Sequence, residues 1–209
     1  MCASDCIYLV VVSYLLGSIP FGLVLARAFG LPDPRSIGSG NIGATNMLRT
    51  GRTDVAVLTL LFDAGKGAAA VWVGRLFFEA TPMMEAVSIT MATLGHIYSP
   101  WLKFRGGKGV ATTLGGMLAL APMLGFMLAA IWLLVFVSTG ISSLSSIAML
   151  TFLPLLGWWE FAPLTVLVLA FGAVISIYKH LSNIQRLMRG DEPRLFGEKR
   201  KVRIVRDRE

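Results

Sequence analysis

Long apolar segments fill most of this chain and are separated by short polar stretches. They run at about 6–28, 54–78, 84–102, 110–121, 123–139, 141–158 and 162–180. A spanning helix needs roughly 20 apolar residues, and in a bilayer every backbone polar group must be satisfied inside the protein. Charged residues make up only 15% of the chain and hydrophobic residues 55%. These features exclude an ordinary soluble domain and predict an all-α integral membrane protein.

The distribution of charge between the apolar segments predicts their orientation. Basic residues concentrate in 27–53, in 103–108 and in the tail from Lys179, whereas the turns 79–85 and 158–162 carry only acidic charge. Because loops rich in Lys and Arg stay in the cytoplasm, we expect the basic segments on the cytoplasmic side and the acidic turns outside.

The number of crossings follows from this orientation. The segment 110–139 is either one long helix or two short helices broken near Pro122. An even number of crossings must separate a cytoplasmic 103–108 from a cytoplasmic tail, which favours the break. The sequence therefore predicts about seven transmembrane helices, with the N-terminus outside and the C-terminus in the cytoplasm. A five-helix arrangement also satisfies the parity, but it leaves a long apolar run lying in the membrane interface.

The net charge of +7 resides in the loops between helices and in the tail. A cationic face of this kind suits an anionic lipid leaflet, so no nucleic-acid partner is predicted. No cluster of His, Cys, Asp and Glu has the spacing of a metal site, and we expect no metal. We expect residues 1–192 to form the transmembrane domain and residues 193–209 to form a basic cytoplasmic tail.

Four polar stretches fall on one membrane face in this topology. They are Ser36 to Arg52, Lys103 to Thr113, Ser138 to Ser146, and Lys179 to Arg189. Polar residues are expensive at membrane depth, and their collection on one side of the bilayer predicts a substrate site there.

The second stretch is a glycine-rich loop that carries cations. Gly106, Gly107 and Lys108 lie between two apolar segments, and Thr112 follows. Glycine turns let backbone N–H groups point into one concavity, so the loop is interpreted as a cradle for phosphate or carboxylate. It is not a Walker A loop, because Gly109 follows Lys108 where Ser or Thr is required. The alternative is a flexible basic loop that only obeys the positive-inside rule.

The first stretch combines three glycines with neutral hydrogen-bonding side chains and one guanidinium. These side chains are Ser39, Asn41, Thr45, Asn46 and Arg49. A guanidinium forms bidentate bonds to phosphate, so the stretch predicts a second part of an anion site. The alternative is a Gly/Asn turn followed by a helix cap.

His180, Asn183 and Arg186 recur at helical spacing where the last apolar segment ends. Residues at this spacing share one helix face, so the three groups can bind a phosphate and a hydroxyl together. Ser143 and Ser146 lie in a serine-rich stretch that is either part of the site or only a tight turn between closely packed helices.

Two features inside the apolar segments have simpler explanations. Asp63 and Lys66 lie three residues apart, so we interpret them as a structural ion pair that makes both tolerable in a membrane. His96 is either a hydrogen-bonded packing residue or a part of the site, because the Gly-Lys loop follows closely. Neither histidine is followed five residues later by aspartate, so the His-Asp pair of many acyltransferases is absent.

Three of these stretches together resemble the bacterial acyl-phosphate:glycerol-3-phosphate acyltransferase family, the PlsY type. They are Gly38–Asn46 with Arg49, Lys103–Thr112, and His180-Leu-Ser-Asn183-Ile-Gln-Arg186-Leu. The segments Asp63–Gly67 and Ser143–Ser146 are also similar to the family, and the match runs from about residue 8 to 192. One departure is Ile42, where the family commonly has proline.

The resemblance implies transfer of a fatty acyl group from acyl-phosphate to the 1-hydroxyl of sn-glycerol 3-phosphate. The products would be lysophosphatidic acid and phosphate, without acyl-CoA, metal or cofactor. Catalysis is assigned to His180 and Asn183. Substrate binding is assigned to Ser39, Asn41, Thr45, Asn46, Arg49, Gly106, Gly107, Lys108, Thr112, Ser143 and Ser146. The expected location is the bacterial inner membrane, among lipids, with the site facing the cytoplasm and no obligate protein partner.

A transporter of a phosphorylated metabolite would use the same cations in a similar helix bundle. The sequence shows no inverted repeat, and its polar stretches gather on one face, whereas alternating access needs a site near the membrane midplane. The acyltransferase hypothesis is therefore favoured over the transporter.

Overall fold

The computed structural model describes residues 3–195, and within that range the regular elements are all helices. The α-helices are α1 (Ala3–Ser18), α2 (Phe21–Ala28), α3 (Ala44–Met47), α4 (Thr53–Phe78), α5 (Pro82–Ile97), α6 (Val110–Leu120), α7 (Pro122–Thr139), α8 (Ser142–Glu160), α9 (Pro163–Tyr178) and α10 (Leu181–Arg189). Short 3₁₀ turns cover Pro34–Ser36, Leu48–Thr50 and Pro100–Leu102. The predicted all-α fold is confirmed for this part of the chain.

Four helical segments are long and apolar enough to cross a membrane, and α9 with α10, bent by 57°, would make a fifth. Helix α1 joins α2 in the first of these segments, Ser4–Ala28, and α5 ends at Ile97 rather than near 102. Pro100 explains the early end of α5, because a proline disfavours helical backbone at the residue before it. The count of seven spans and the orientation of the termini remain predictions.

The helix break near Pro122 is confirmed. Helix α6 ends at Leu120, Ala121 has non-helical backbone, and Pro122 occupies the first turn of α7. Proline has no N–H to donate and suits the first turn of a helix, so it ends one helix and begins the next. Helix α6 has only 11 residues and is therefore about 16 Å long, roughly half the thickness of a hydrocarbon core.

Small residues set how closely the helices pack. A Cβ added at Gly95 would overlap the backbone oxygen of Tyr14, so α5 and α1 are in backbone contact there. The same holds between α4 and α6, where a Cβ on Gly67 would overlap the backbone oxygen of Thr112. Close backbone approach replaces the hydrophobic effect as a source of helix association in lipid. These contacts fix the position of α6, whose first turn follows the Gly-Lys loop.

The four polar stretches converge in the folded chain, whereas their predicted location on one membrane face stays a prediction. Ile42 belongs to one buried cluster with Leu23 and Leu102, which brings the first stretch close to the loop before α6. Three hydrogen bonds join the remaining stretches; they pair Lys108 with Asn183, Ser143 with Glu192, and Leu195 with Gly140. The tail beyond Leu195, which includes most of the predicted 193–209 segment, lies outside the described residues.

Candidate active site

Lys108 occupies the centre of the convergent polar end. Its Nζ donates a hydrogen bond of 2.5 Å to Oδ1 of Asn183, and its backbone oxygen accepts one of 2.5 Å from Oγ of Ser176. Burial lowers the pKa of Lys108 to about 8, although the charge of Glu192 partly opposes that fall. A cation that is partly desolvated and held at both ends attracts an anion more strongly than a solvated surface lysine does.

Three of the surrounding side chains donate hydrogen bonds to the carboxylate of Glu192. Its Oε1 accepts hydrogen bonds from Asn183 Nδ2 at 2.5 Å and from Ser143 Oγ at 2.7 Å. Its Oε2 pairs with Arg186 Nε at 2.7 Å. Burial raises the pKa of Glu192, but the hydrogen bonds from Asn183, Ser143 and Arg186 outweigh that effect and hold the pKa below its usual value. Glu192 is therefore ionised and, through Asn183, orients Lys108.

Asn183 has a fixed orientation because both ends of its amide are engaged. Lysine can only donate, so the atom facing Lys108 is the amide oxygen, and the NH₂ group faces the carboxylate of Glu192. The predicted catalytic asparagine thus contacts Lys108 and Glu192 and acts as a link between them.

His180 is buried where α9 ends, one turn after Ser176. Its Nδ1 lies 2.8 Å from the backbone oxygen of Ser176. A carbonyl oxygen only accepts, so Nδ1 carries the proton and Nε2 of the neutral ring is an acceptor. Ser176 also donates through Oγ to the backbone oxygen of Lys108, so one residue fixes both the histidine and the glycine loop.

The glycine loop differs from its predicted role as an N–H cradle. The N–H of Gly106 donates to Ile97 O at 3.0 Å, and that of Gly107 donates to His96 O at 3.1 Å. These two donors are occupied by the end of α5 and do not point at an anion. The prediction was wrong in this respect because docking against another helix, which local sequence does not reveal, consumes the donors. Gly106 and Gly107 instead fix the backbone that leads into Lys108.

The stretch 36–49 is organised by Asn46, which is buried. Its Oδ1 accepts from the Ser39 N–H at 3.0 Å, and its Nδ2 contacts the backbone oxygens of Pro34, Ile37 and Asn41 at 2.7 to 3.2 Å. Asn46 was predicted to contact substrate, but both ends of its amide are engaged within the loop. Its buried position, set by tertiary packing, accounts for the difference.

Arg49 lies at the end of the same loop with an exposed side chain. Its guanidinium approaches Gly38, because a Cβ added at that glycine would touch the NH1 and Cδ atoms of Arg49. Within residues 3–195 no carboxylate forms an ion pair with Arg49, so its charge is open to a ligand. Ser39 is also exposed, and Asn41 and Thr45 are half-buried.

Two predicted site residues have other surroundings. Ser146 Oγ donates to Ser142 O and accepts from Trp132 Nε1, so it joins α7 to α8. Thr112 is fully buried, and its Oγ1 lacks a hydrogen-bond partner among the described residues. Ser143, by contrast, contacts Glu192 and belongs to the site.

Comparison with known proteins identifies the family. The family described as Glycerol-3-phosphate acyltransferase matches residues 7–190. This chain belongs to the glycerol-3-phosphate acyltransferase family. It is 46% identical over 187 residues to Glycerol-3-phosphate acyltransferase 1 of Rhizobium johnstonii, which covers 88% of this chain and 89% of the relative. It is 49% identical over 187 residues to the Glycerol-3-phosphate acyltransferase of Paramagnetospirillum magneticum, covering 90% and 92%.

Two solved structures share this fold. One is PlsY (YgiH), an integral membrane glycerol 3-phosphate acyltransferase, in its glycerol 3-phosphate form, with a TM-score of 0.84 and 36% identity over 92% of this chain and 96% of that one. The other is the lysophosphatidic acid form of PlsY, with a TM-score of 0.82 and 35% identity over 92% and 95%. The prediction of a multi-pass integral membrane protein of the PlsY family is thereby confirmed.

In this member of the glycerol-3-phosphate acyltransferase family, the predicted residues fall into two groups. Lys108, His180, Asn183 and Ser143 come together around Glu192 and Ser176. Ser39, Asn41, Thr45, Asn46 and Arg49 form a second group in the 36–49 loop. Within residues 3–195 no side-chain hydrogen bond joins the groups. The 36–49 loop meets the segment before the glycine loop in the hydrophobic cluster of Ile42, Leu23 and Leu102.

Sequence reasoning missed Glu192 and Ser176. Gly190 has a φ of 76°, a left-handed conformation that suits glycine and turns the chain back after α10. Asp191 and Glu192 follow this turn in an otherwise basic segment, and this pair of acids was a signal that could have identified Glu192. Ser176 lies inside an apolar helix and carried no comparable signal.

Proposed function

We propose that this protein transfers a fatty acyl group from acyl-phosphate to the 1-hydroxyl of sn-glycerol 3-phosphate. The products are lysophosphatidic acid and inorganic phosphate. The observation that carries the proposal is the hydrogen-bonded chain from Lys108 through Asn183 to Glu192, beside a histidine whose Nδ1 is fixed by Ser176. A held cation next to an oriented acceptor suits a reaction between a phosphate leaving group and a hydroxyl.

In the proposed reaction, the 1-hydroxyl oxygen attacks the acyl carbonyl carbon and the bond from that carbon to the phosphate oxygen breaks. The departing phosphate takes the hydroxyl proton, so atoms and charge balance without a separate base. His180 accepts a hydrogen bond from the hydroxyl at Nε2 and orients it, since Nδ1 is engaged by Ser176. Lys108 stabilises the negative charge that develops on the phosphate.

Arg49 is proposed to hold the phosphate of glycerol 3-phosphate. Its exposed guanidinium is without a carboxylate partner among residues 3–195, and a planar guanidinium suits bidentate bonds to phosphate. Ser39, exposed in the same loop, adds a neutral donor, and Asn46 keeps the loop in shape. The acyl chain of acyl-phosphate lies in the bacterial inner membrane, and its phosphate reaches Lys108 at the cytoplasmic side.

The test is an assay of purified protein in detergent or in a lipidic phase. Acyl-phosphate and radiolabelled glycerol 3-phosphate are supplied together, and both phosphate release and label in lysophosphatidic acid are measured. We expect phosphate release to require glycerol 3-phosphate, and acyl-CoA to fail as a donor. Lys108→Ala and Arg49→Ala are each expected to lower kcat/KM by at least about 100-fold, the range for losing a charged contact in a reaction site. Arg189→Ala, which removes an exposed cation at the end of α10, is the control.

Activity with acyl-CoA but not with acyl-phosphate would overturn the proposed donor and leave the acceptor intact. In a parallel assay with the protein reconstituted in vesicles, label that enters the vesicles without appearing in lipid would instead support the transporter hypothesis. The family membership supports acyl transfer over transport.

A further inference from the structure

A buried cluster of three ionisable side chains includes His96, which lies against the glycine loop. Lys66 Nζ lies 2.8 Å from Asp63 Oδ1, 2.8 Å from His96 Nδ1 and 2.8 Å from the backbone oxygen of Ile19. The side chains of Asp63 and Lys66 are only 3% and 2% exposed, and His96 is also buried. The predicted Asp63–Lys66 ion pair is thus confirmed, and His96 and Ile19 complete it.

The ammonium group of Lys66 determines which ring nitrogen of His96 carries the proton. An ammonium donates protons and accepts none, so Lys66 pairs with the Asp63 carboxylate and donates hydrogen bonds to Ile19 O and His96 Nδ1. His96 Nδ1 is therefore the acceptor, and the proton of the neutral ring lies on Nε2. The acceptors come from three segments: the break between α1 and α2, helix α4, and the end of α5. Lys66 consequently fixes both the tautomer and the orientation of the His96 ring.

The other edge of that ring lies directly against Gly107. A Cβ added at Gly107 would overlap His96 Nε2, and a Cβ added at Gly106 would overlap the His96 backbone oxygen. The N–H of Gly107 also donates to His96 O at 3.1 Å. The residue before Lys108 is thus held against the ring of His96 and the backbone of α5.

We propose that Asp63, Lys66 and His96 form a positioning unit for Lys108. The unit fixes the backbone of Gly107, while Asn183 and Ser176 hold Lys108 through hydrogen bonds. A charged lysine in a membrane helix costs free energy. Here the charge of Lys66 orients the His96 ring, which supports the glycine loop. This inference rests on the proposed function only in taking Lys108 as the cation that acts on substrate.

The first test is a double-mutant cycle between His96 and Lys108, measured as kcat/KM for glycerol 3-phosphate. Because the unit acts through Lys108, His96→Ala is expected to lower kcat/KM about tenfold in the parent and less than about twofold in the Lys108→Ala background. Equal losses in both backgrounds would overturn the proposal, because a general structural defect does not depend on Lys108. Ser88→Ala is the matched control, since Ser88 is buried on the same helix and donates only to Met84 O.

The second test does not depend on acyl transfer. Amine acetylation of the intact protein with an active ester is followed by mass spectrometry at Lys108 and at Lys103, an exposed lysine in the same loop. We expect His96→Ala to change the pH dependence of the Lys108 to Lys103 labelling ratio, so that Lys108 labels in parallel with Lys103 rather than from a lower pH, because a released amine is solvated and holds its proton more strongly. Ser88→Ala should leave this pH dependence unchanged. An unchanged pH dependence in His96→Ala would overturn the positioning role.

The outcomes separate the inference from the proposed function. Wild-type protein that releases no phosphate overturns the function, while the labelling ratio still decides the positioning role. If His96→Ala does not fold, as judged by size exclusion and melting temperature, His96→Asn replaces it in both tests. Its amide oxygen takes the place of Nδ1 opposite Lys66, but it lacks the Nε2 edge that supports Gly107, so the same directions of change are expected.

Discussion

Lys108 and Asn183 are joined by a hydrogen bond of 2.5 Å although 75 positions separate them in the chain. This bond makes one site out of the glycine loop before α6 and the polar stripe that follows α9. Asn183 also connects Glu192 to Lys108, because its amide bonds to both side chains.

The pH dependence of the reaction should follow the ionisation of Lys108. Burial lowers the pKa of Lys108 to about 8, so the folded protein loses this positive charge as the pH rises through that value. In the proposed reaction the charged form stabilises the departing phosphate, so kcat/KM for glycerol 3-phosphate is expected to be highest below pH about 8 and to fall above it. Steady-state rates from about pH 6 to 10 provide the measurement.

Lys108→Arg is the control for this profile. Arginine stays charged throughout the range, so any activity that the variant retains should not fall near pH about 8. The same alkaline fall in both proteins would assign it to a group other than Lys108.

Glu192 is expected to contribute to stability as well as to orientation. Glu192→Ala leaves Ser143, Asn183 and Arg186 without their shared acceptor and should cost about 2 kcal/mol, a typical value for charged hydrogen bonds. For a chain of this size that corresponds to a fall in melting temperature of roughly 4–8 °C. Asp191→Asn, which removes the neighbouring exposed acid, should change the melting temperature little.

The sign of the Glu192 effect can be checked with pH. Its pKa is held below the usual value in the folded protein, so its stabilising contribution is complete above the unfolded pKa and is lost as the pH falls through the folded pKa. The difference in the free energy of unfolding between wild type and Glu192→Gln should therefore become smaller as the pH is lowered. A deficit that grows in acid would contradict this account.

Asn46 should act on the substrate site through the shape of its loop. Asn46→Ala removes the contacts to Ser39, Pro34, Ile37 and Asn41, and we expect a loss of about 1–3 kcal/mol in stability and a higher KM for glycerol 3-phosphate. Asn46→Asp keeps the acceptor for Ser39 but loses the donors, so it should resemble alanine. Wild-type kinetics in both variants would show that the loop keeps its shape without this amide.

The predicted membrane topology can be tested with single cysteines in a background where Cys2 and Cys6 are serine. Ala80→Cys lies between α4 and α5, and Phe104→Cys lies in the loop before α6. A membrane-impermeant maleimide should label the first in intact cells and the second only after permeabilisation, as the positive-inside rule requires. The reverse pattern would invert the orientation and place the candidate site outside.

Local signals in the sequence were sufficient for the helices and for the end of the bundle where the site lies. Apolar segment length and Pro122 are local features, and they predicted α4, α6 and α7 well. Charge distribution placed four polar stretches on one face, and the contacts of Lys108 with Asn183 and of Ser143 with Glu192 agree with it.

The parts that sequence reasoning missed are those that depend on distant partners. The sequence indicated that the glycine N–H groups were free to bind an anion, but in the structure they donate to the backbone oxygens of His96 and Ile97 at the end of α5. Glu192 contacts Ser143, 49 positions away, and no local pattern shows that relation. Asn46 resembled a ligand because its type and spacing fit, whereas its burial depends on how the loop folds.

The position of Glu192 after the last helix has a genetic consequence. A nonsense mutation at codon 191 would spare every helix from α1 to α10, and a hydropathy plot of the shortened protein would look intact. The site would nevertheless lose the carboxylate that Asn183, Ser143 and Arg186 share. Alleles of this kind should therefore be scored as loss of function, and reporter fusions should begin beyond Leu195, whose N–H is bonded to Gly140.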